Sequence, residues 1–361
     1  MFENFLSVCK DVTKTTRKIP QGEYLSDGTY KIFDQGKNYI GGYCNTANGV
    51  ASDYPYIVFG DHTRVIKYIN EPCYIGADGV KLLKVYNNDF IPKFVYYAML
   101  ANPVEHQGYS RHFKLLKETK IRKYDKSIQN TIIDELDKIN LAISLKESIL
   151  NHLDELVKSR FIEMFGDIRI SSIFPNIALE NFAQIGSSKR VHAADYVESG
   201  VPFYRSKEII ELGNGQEPSV ELFISKKQYE SIKKTNGVPC KGDILMSAVG
   251  TIGKMWIVDG RKDFYYKDGN IISIHSEETN PIYLKEALAN LIDDFKSANV
   301  AGSAYSALTI VKLKKMTVPM PPMSIQNEFA DFVKLIDKSK FVGYFTLNIF
   351  YVKSSHFHHP P

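Results

Sequence analysis

Apolar positions along this chain change their period from segment to segment. Tyr56-Ile57-Val58-Phe59 and Asp243-Ile244-Leu245-Met246 are short apolar runs beside glycine, the pattern of buried strands. Arg64 to Ile69 alternates apolar and polar residues, as a half-exposed strand does, and Met255 to Val258 runs into Asp259-Gly260, a strand entering a turn. From Tyr283 to Lys296 the residues Leu284, Leu288, Leu291, Ile292 and Phe295 have helical spacing.

The stretch from Ile128 to about Met164 is different. Leu136, Ile143, Leu150, Val157 and Met164 recur at every seventh position, Ile139 and Leu153 fill the intervening ones, and Lys146 and Arg160 interrupt them. This is the a/d seam of a coiled coil with two charged breaks. No proline or glycine occurs before Gly166, so the pattern predicts a helix of about 55 Å at 1.5 Å per residue. Such a helix does not bury its seam alone. Leu136, Ile139, Ile143, Leu150, Leu153 and Val157 are therefore the candidate partner-binding residues. A second helix is expected from Ser324, with Phe329, Val333 and Ile336 on one face and Phe332 beside them. It follows a stiff lead-in, Val318-Pro319-Met320-Pro321-Pro322-Met323, whose counterpart before the first helix is the basic Ile121 to Lys126.

The chain also repeats itself. Phe2-Glu3-Asn4-Phe5 resembles Leu179-Glu180-Asn181-Phe182, and Val58-Phe59-Gly60-Asp61 can be laid on Leu245-Met246-Ser247-Ala248. Asp78-Gly79-Val80 follows with Asp268-Gly269-Asn270, then Ser127-Ile128-Gln129-Asn130 with Ser324-Ile325-Gln326-Asn327. Four matches in one order point to a globular unit and a helix, each present twice.

Composition adds limits rather than answers. Of 361 residues, 44% are hydrophobic and 24% charged, which fits two or three soluble globular domains. A net charge of +4 permits a nucleic-acid partner without demanding one. Cys9, Cys44, Cys73 and Cys240 form no CxxC pair, which fits a reducing cytoplasm, and neither a signal peptide nor an apolar membrane span is read.

Catalytic motifs are missing. An adenine methyltransferase needs Asn/Asp-Pro-Pro-Tyr/Phe at the flipped base, and Asn280-Pro281-Ile282-Tyr283 lacks the second proline. Gly250-Thr251-Ile252-Gly253-Lys254 is too short for a phosphate loop, and Met255 stands where Ser or Thr would ligate Mg²⁺. No Pro-Asp opens a nuclease carboxylate motif, and Glu118-Thr119-Lys120 reads as solvated charge. His356, His358 and His359 make no expected metal site. No catalytic residue, metal ligand or bound cofactor is assigned to the chain.

Two pieces together carry a family resemblance: the lead-in and helix start VPMPPMSIQNEFADFVKLID, and the helix end Leu156 to Asp167, LVKSRFIEMFGD. With Val201-Pro202-Phe203-Tyr204-Arg205, Gly242-Asp243-Ile244-Leu245, Gly250-Thr251-Ile252-Gly253 and Gly302-Ser303-Ala304-Tyr305, they resemble specificity subunits of Type I restriction-modification enzymes. Asp34-Gln35-Gly36, Gly60 to Arg64 and Gly76 to Lys81 resemble one lineage of target-recognition domains. The resemblance covers about residues 2–341. It implies an α+β fold with two target-recognition domains separated by long antiparallel coiled-coil helices in a pseudo-two-fold repeat. The expected segments are 1–126, the helix 127–165, 166–322, a shortened helix 323–341 and an atypical tail 342–361.

What the resemblance implies for function is a non-catalytic subunit. Each domain reads a short half-site of double-stranded DNA, and the helices set the spacer and dock methyltransferase subunits. Those subunits bind S-adenosylmethionine, while a motor-nuclease subunit uses ATP and Mg²⁺. The tail VGYFTLNIFYVKSSHFHHPP has no heptad and contains Gly343, so the helix is expected to end near Phe341. Assembly with modification subunits would then be impaired or would use a second copy of the chain; co-purification at the normal 1:2 ratio would oppose that. Competing readings are a self-contained restriction or modification enzyme, disfavoured by the missing motifs, and a coiled-coil adaptor with no DNA role.

Candidate DNA contacts are Arg, Lys and polar residues in loops. Arg111, Lys114 and Lys117 lie in the strongest basic stretch, which could equally be a solvated charge run or a docking face. His62, Thr63 and Arg64 follow a strand and a glycine, which places them at a loop tip. Ser188, Lys189 and Arg190 are polar and basic, and Arg205 and Lys207 follow a buried-looking Phe203. Thr251, Lys254, Ser303 and Tyr305 sit in or beside glycine-containing loops, where plain turn chemistry is the alternative.

Overall fold

The computed structural model describes residues 1–108, 110–168, 171–299 and 308–356. The chain forms two compact units, one of residues 1–148 with 344–361 and one of residues 149–343.

Each unit contains a four-stranded antiparallel sheet built in the same order. In the first unit the strands are Cys9–Asp11, Val80–Val85, Tyr56–Gly60 and Ile66–Ile69. In the second they are Gln184–Gly186, Ile271–His275, Ile244–Ser247 and Met255–Ile257. The third strand of each is the apolar run noted in the sequence, and its residues are fully buried. The reason is that both faces are covered. Ile57 and Phe59 point into one core cluster and Val58 into another, and Ile244 and Met246 are separated from Leu245 in the same way. Each unit also has a second four-stranded sheet, with two parallel pairings in the first unit and one in the second.

Hydrogen bonds settle the register of the repeat. Val58-Phe59 does match Leu245-Met246. The Leu179-Glu180-Asn181 alignment with Phe2-Glu3-Asn4 is corrected by three residues. Phe5 N–H donates to Thr119 O and Leu179 N–H donates to Met316 O, so Leu179 corresponds to Phe5, and both are buried. The Asp78-Gly79 match is off by one: Asp61 N–H meets Gly79 O, whereas Ala248 N–H meets Asn270 O. Backbone pairing is specific to register, whereas a four-residue likeness is not.

The long helix runs from Lys126 to Phe165, 40 residues. In the second unit its end pairs antiparallel with the helix Met323–His356. Lys340 Nζ lies 2.5 Å from Asp154 Oδ1, Arg160 Nη2 lies 3.2 Å from Glu328 Oε1, and the rings of Phe161 and Phe165 lie 5.6 and 5.3 Å from that of Phe329. Residue numbers rise along one helix as they fall along the other. The expected stop near Phe341 is corrected, because the helix continues to His356. Gly343 costs a helix interior only about 1 kcal/mol, and no proline intervenes before Pro360.

Candidate nucleic-acid interface

The edge of the second unit's antiparallel sheet opens onto a cleft of about 490 Å³, lined by residues 184–189, 236–240, 243, 265, 266, 273 and 275. Strand alternation builds its floor. Gln184 pairs with His275 and Gly186 with Ser273, while Ile185 and Ile274 between them turn into the core. Three separate segments then close the walls.

Asp243 ties one of them, residues 236–240, to the floor strand. It is buried, its Oδ1 lies 2.7 Å from His275 Nδ1, and its Oδ2 accepts from Cys240 N–H at 2.8 Å. The Asp243 N–H in turn donates to Cys240 O. Both carboxylate oxygens are thereby engaged, and the imidazole is fixed while remaining partly exposed. The third segment, residues 187–190, is pinned to the strand Tyr265–Tyr266 and the turn after it. Lys189 N–H donates to Tyr265 Oη at 2.7 Å, Ser187 Oγ accepts from Gly269 N–H at 3.1 Å, and Arg190 Nε lies 2.7 Å from Asp268 Oδ2. The backbone is held while the side chains of Gln184, Lys189 and Asn236 stay exposed. A rigid frame carrying amide, ammonium and imidazole tips is suited to base edges and phosphates.

Of the sequence candidates, the cleft gathers Ser188 and Lys189, with Arg190 at its margin. Thr251 and Lys254 are exposed but lie on the turn at the other end of the strand Ile244–Ser247 from Asp243. That turn is closed on itself: Ser247 Oγ donates to Thr251 O and accepts from Lys254 N–H. Gly253, at φ 80°, admits no side chain because a Cβ would lie 2.4 Å from Ile292 Cγ2. Ser303 and Tyr305 lie outside the described residues, as do His358 and His359.

Arg205 and Lys207 are both ion-paired within the second unit. Arg205 Nη2 lies 2.8 Å from Glu208 Oε1 and 2.9 Å from Glu221 Oε2, and Lys207 Nζ lies 2.8 Å from Glu221 Oε1. The hydrogen bond to Glu208, acting against burial and helped by Glu221, pushes the Arg205 guanidinium further up, so its charge is already compensated within the unit.

In the first unit, His62, Thr63 and Arg64 do form the turn between strands Tyr56–Gly60 and Ile66–Ile69, but they are tied inward. His62 N–H and Thr63 Oγ1 donate to Gln35, and Arg64, at φ 63°, donates from Nη1 to Val104 O at 3.0 Å. Gln35 belongs to the Asp34-Gln35-Gly36 piece of the resemblance but is not among the candidate DNA contacts. Arg111, Lys114 and Lys117 are exposed. They flank Phe113 in the chain; its N–H is held by Asp61 Oδ1 at 2.7 Å, and its ring lies under Lys81 and Lys117 at 5.0 and 5.6 Å. This basic patch with an aromatic centre is the first unit's candidate surface.

The seam residues are largely spent within the chain. Leu150 and Val157 are buried, Leu153 and Val157 pack into the second unit's core, and Leu136 packs on the first unit's core. Ile139 and Ile143 are half-buried. Ile128, Leu141 and Leu145 of the first unit, and Ile149, Leu156 and Ile162 of the second, are exposed apolar residues of the same helix.

Residues 174–341 match the family model described as Type I restriction modification DNA specificity domain. Over that stretch, under half of the chain, the sequence is similar to this domain. A type I restriction enzyme specificity subunit of Haemophilus influenzae is 31% identical over 164 residues, which is 45% of this chain and 39% of that protein. The chain thus matches about two fifths of that curated relative's length. The type I S subunit of M. genitalium resembles the chain with a TM-score of 0.58 at 15% identity, over 99% of this chain and 94% of that one. A chain from a type I restriction-modification system, solved to describe complex assembly and conformational transition, gives 0.54 at 12%, over 99% and 96%. At such identities the likeness is one of fold: mixed strands and helices with a long helix between them. The residues lining the cleft of about 490 Å³ all fall within the matched stretch. Among the described residues no helix is long and apolar enough to cross a membrane, and no group of His, Cys, Asp and Glu could hold a metal ion.

Proposed function

We propose that this chain is the DNA-reading subunit of a Type I restriction-modification complex, with each unit reading one half of a bipartite site in double-stranded DNA. The observation that carries the reading is the specificity-domain match over residues 174–341. The repeated sheet supports it, because two equivalent units imply two equivalent readers. Two modest readers on a rigid spacer gain from effective concentration only at the matching separation. The long helices set that separation and dock methyltransferase subunits, with the exposed Leu141, Leu145, Leu156 and Ile162 as apolar contacts. S-adenosylmethionine, ATP and Mg²⁺ belong to the methyltransferase and motor-nuclease subunits, and this chain supplies no catalytic group. The complex acts in the cytoplasm.

In the second unit the cleft is the reading surface. Gln184 and Asn236 present amides that pair with base edges, His275 is held in place by Asp243, and Lys189 meets phosphate. Gln184→Ala or Asn236→Ala is expected to cost about 1–3 kcal/mol and to relax discrimination at one half-site. Lys189→Ala is expected to weaken all sequences alike and to lower the salt slope of binding by about one. Titrations of DNA binding against salt check both, and a flat slope in the unaltered complex would favour a coiled-coil adaptor.

Exchanging residues 166–322 for the corresponding domain of another family member tests the whole reading. Mapping of methylated adenines should show one half-site replaced and the other kept. Replacement of both, or of neither, defeats the two-reader proposal.

A further inference from the structure

The repeat places one buried glutamine at the same joint in each unit. Gln129 and Gln326 lie at the start of the two long helices, and both side chains are withdrawn from solvent. Gln129 Oε1 accepts from Ile91 N–H at 2.8 Å, and its Nε2 donates to Asp89 O and Tyr124 O, both at 2.8 Å. Gln326 Oε1 accepts from Asn280 N–H at 2.8 Å, and its Nε2 donates to Pro321 O at 2.9 Å. Ile91 and Asn280 each stand immediately before the proline that opens a helix packed on the unit's sheet, Pro92–Ala101 and Pro281–Asn299. Tyr124 and Pro321 each belong to the lead-in of the long helix, at the same distance before the glutamine.

One neutral side chain therefore joins three pieces of each unit: the long helix, its lead-in and the helix on the sheet. A primary amide meets this demand because it carries an acceptor and two donors on one rigid plane. Glutamate lacks the donors and methionine has neither function. The two lead-ins differ, one basic and one proline-rich, yet the bonds recur. The shared Ser-Ile-Gln-Asn supplies the glutamine in each copy, and equivalent backbone groups meet it although the lead-ins differ.

We infer that Gln129 and Gln326 are positioning residues that set the angle of each reading unit to its own long helix, so that discrimination at each half-site depends on its own glutamine. This rests on the two-reader function proposed above. A swivelling joint would spread the reader over several placements on the groove, and base-edge contacts tolerate such spread poorly.

The test uses the full chain with Cys240→Ser, which leaves the three buried cysteines in place. Paired nitroxides report on each unit separately: at the exposed positions 227 and 338 for the second, and 14 and 134 for the first. Gln326→Met is expected at least to double the width of the 227–338 distance distribution and to leave the 14–134 pair unchanged, and Gln129→Met the converse. In the assembled complex, Gln326→Met should lower discrimination at one half-site at least fivefold and leave the other as it was. Should Gln326→Met melt the unit, Gln326→Glu decides, since it keeps the bond from Asn280 N–H and loses the one to Pro321 O; broadening supports the joint. Unchanged distributions in the folded variants overturn the inference, and so does broadening with full discrimination kept at both half-sites. If the unaltered complex discriminates at neither half-site, the two-reader function itself is what fails.

Discussion

Phe329→Ala is expected to lower the stability of the second unit by about 3–5 kcal/mol, the cost of truncating a fully buried phenylalanine. Phe329 has no exposed surface. Its ring meets Phe161 and Phe165 edge-on at 81° and 80°, and both of those rings lie against Tyr283, at 5.9 and 4.8 Å. Four rings thus bind the end of the first long helix, the start of the second, and the helix Pro281–Asn299. Edge-on pairs add about 0.5–1.5 kcal/mol beyond area burial, so the upper part of the range is expected. Domains usually hold only about 5–15 kcal/mol in all, and a domain of this size loses about 2–4 °C per kcal/mol. A fall of about 10 °C or more in the second unit's melting transition should therefore follow. Phe329→Leu, which keeps most of the volume, should recover at least half of it. A loss below 1 kcal/mol for the alanine variant would show that the helices are held together elsewhere.

Arg205→Ala is expected to damage folding rather than DNA reading. Glu208 is fully buried, and its carboxylate accepts from both the backbone N–H and the guanidinium of Arg205. Removing the arginine leaves that carboxylate with the backbone N–H but without its cation. Breaking a buried pair from one side costs about 3–5 kcal/mol. Arg205 is itself 30% exposed, so water can enter and the lower end applies. Denaturant unfolding should show this loss, while half-site affinity measured well below the melting temperature should change less than about twofold, since an arginine with two carboxylates around it offers DNA little unbalanced charge. A tenfold loss of affinity at unchanged stability would return Arg205 to the reading surface.

These two cases mark the boundary of what could be read beforehand. Arg205 stood beside Lys207 in a polar stretch after a buried strand, which is how a reading loop looks. Its partner Glu208 was visible three residues away, but Glu221 comes from a separate segment and only folding brings it within 2.9 Å. Lys189 was legible as a polar basic tip, and its place in the cleft agrees with that character. Gln184, Asn236 and His275, which line the same cleft, are not among the sequence candidates because each is unremarkable alone. The alternation of Ser273-Ile274-His275 and of Gln184-Ile185-Gly186 did carry a signal: it puts His275 and Gln184 on the face away from the core.

By itself the sequence determined what depends on local periodicity and on repetition. The heptads predicted the 40-residue helix and its seam, the apolar runs predicted the central strands, and the second Ser-Ile-Gln-Asn marked the duplicated joint. Each is a property of residues a few positions apart, for which helix and strand geometry supplies the ruler. Only the tertiary structure decided which polar groups are already satisfied, where the repeat's true register lies, and that the second helix continues past Phe341 to His356. Those outcomes turn on hydrogen bonds and ion pairs between segments far apart in the chain, whose partners no local pattern names.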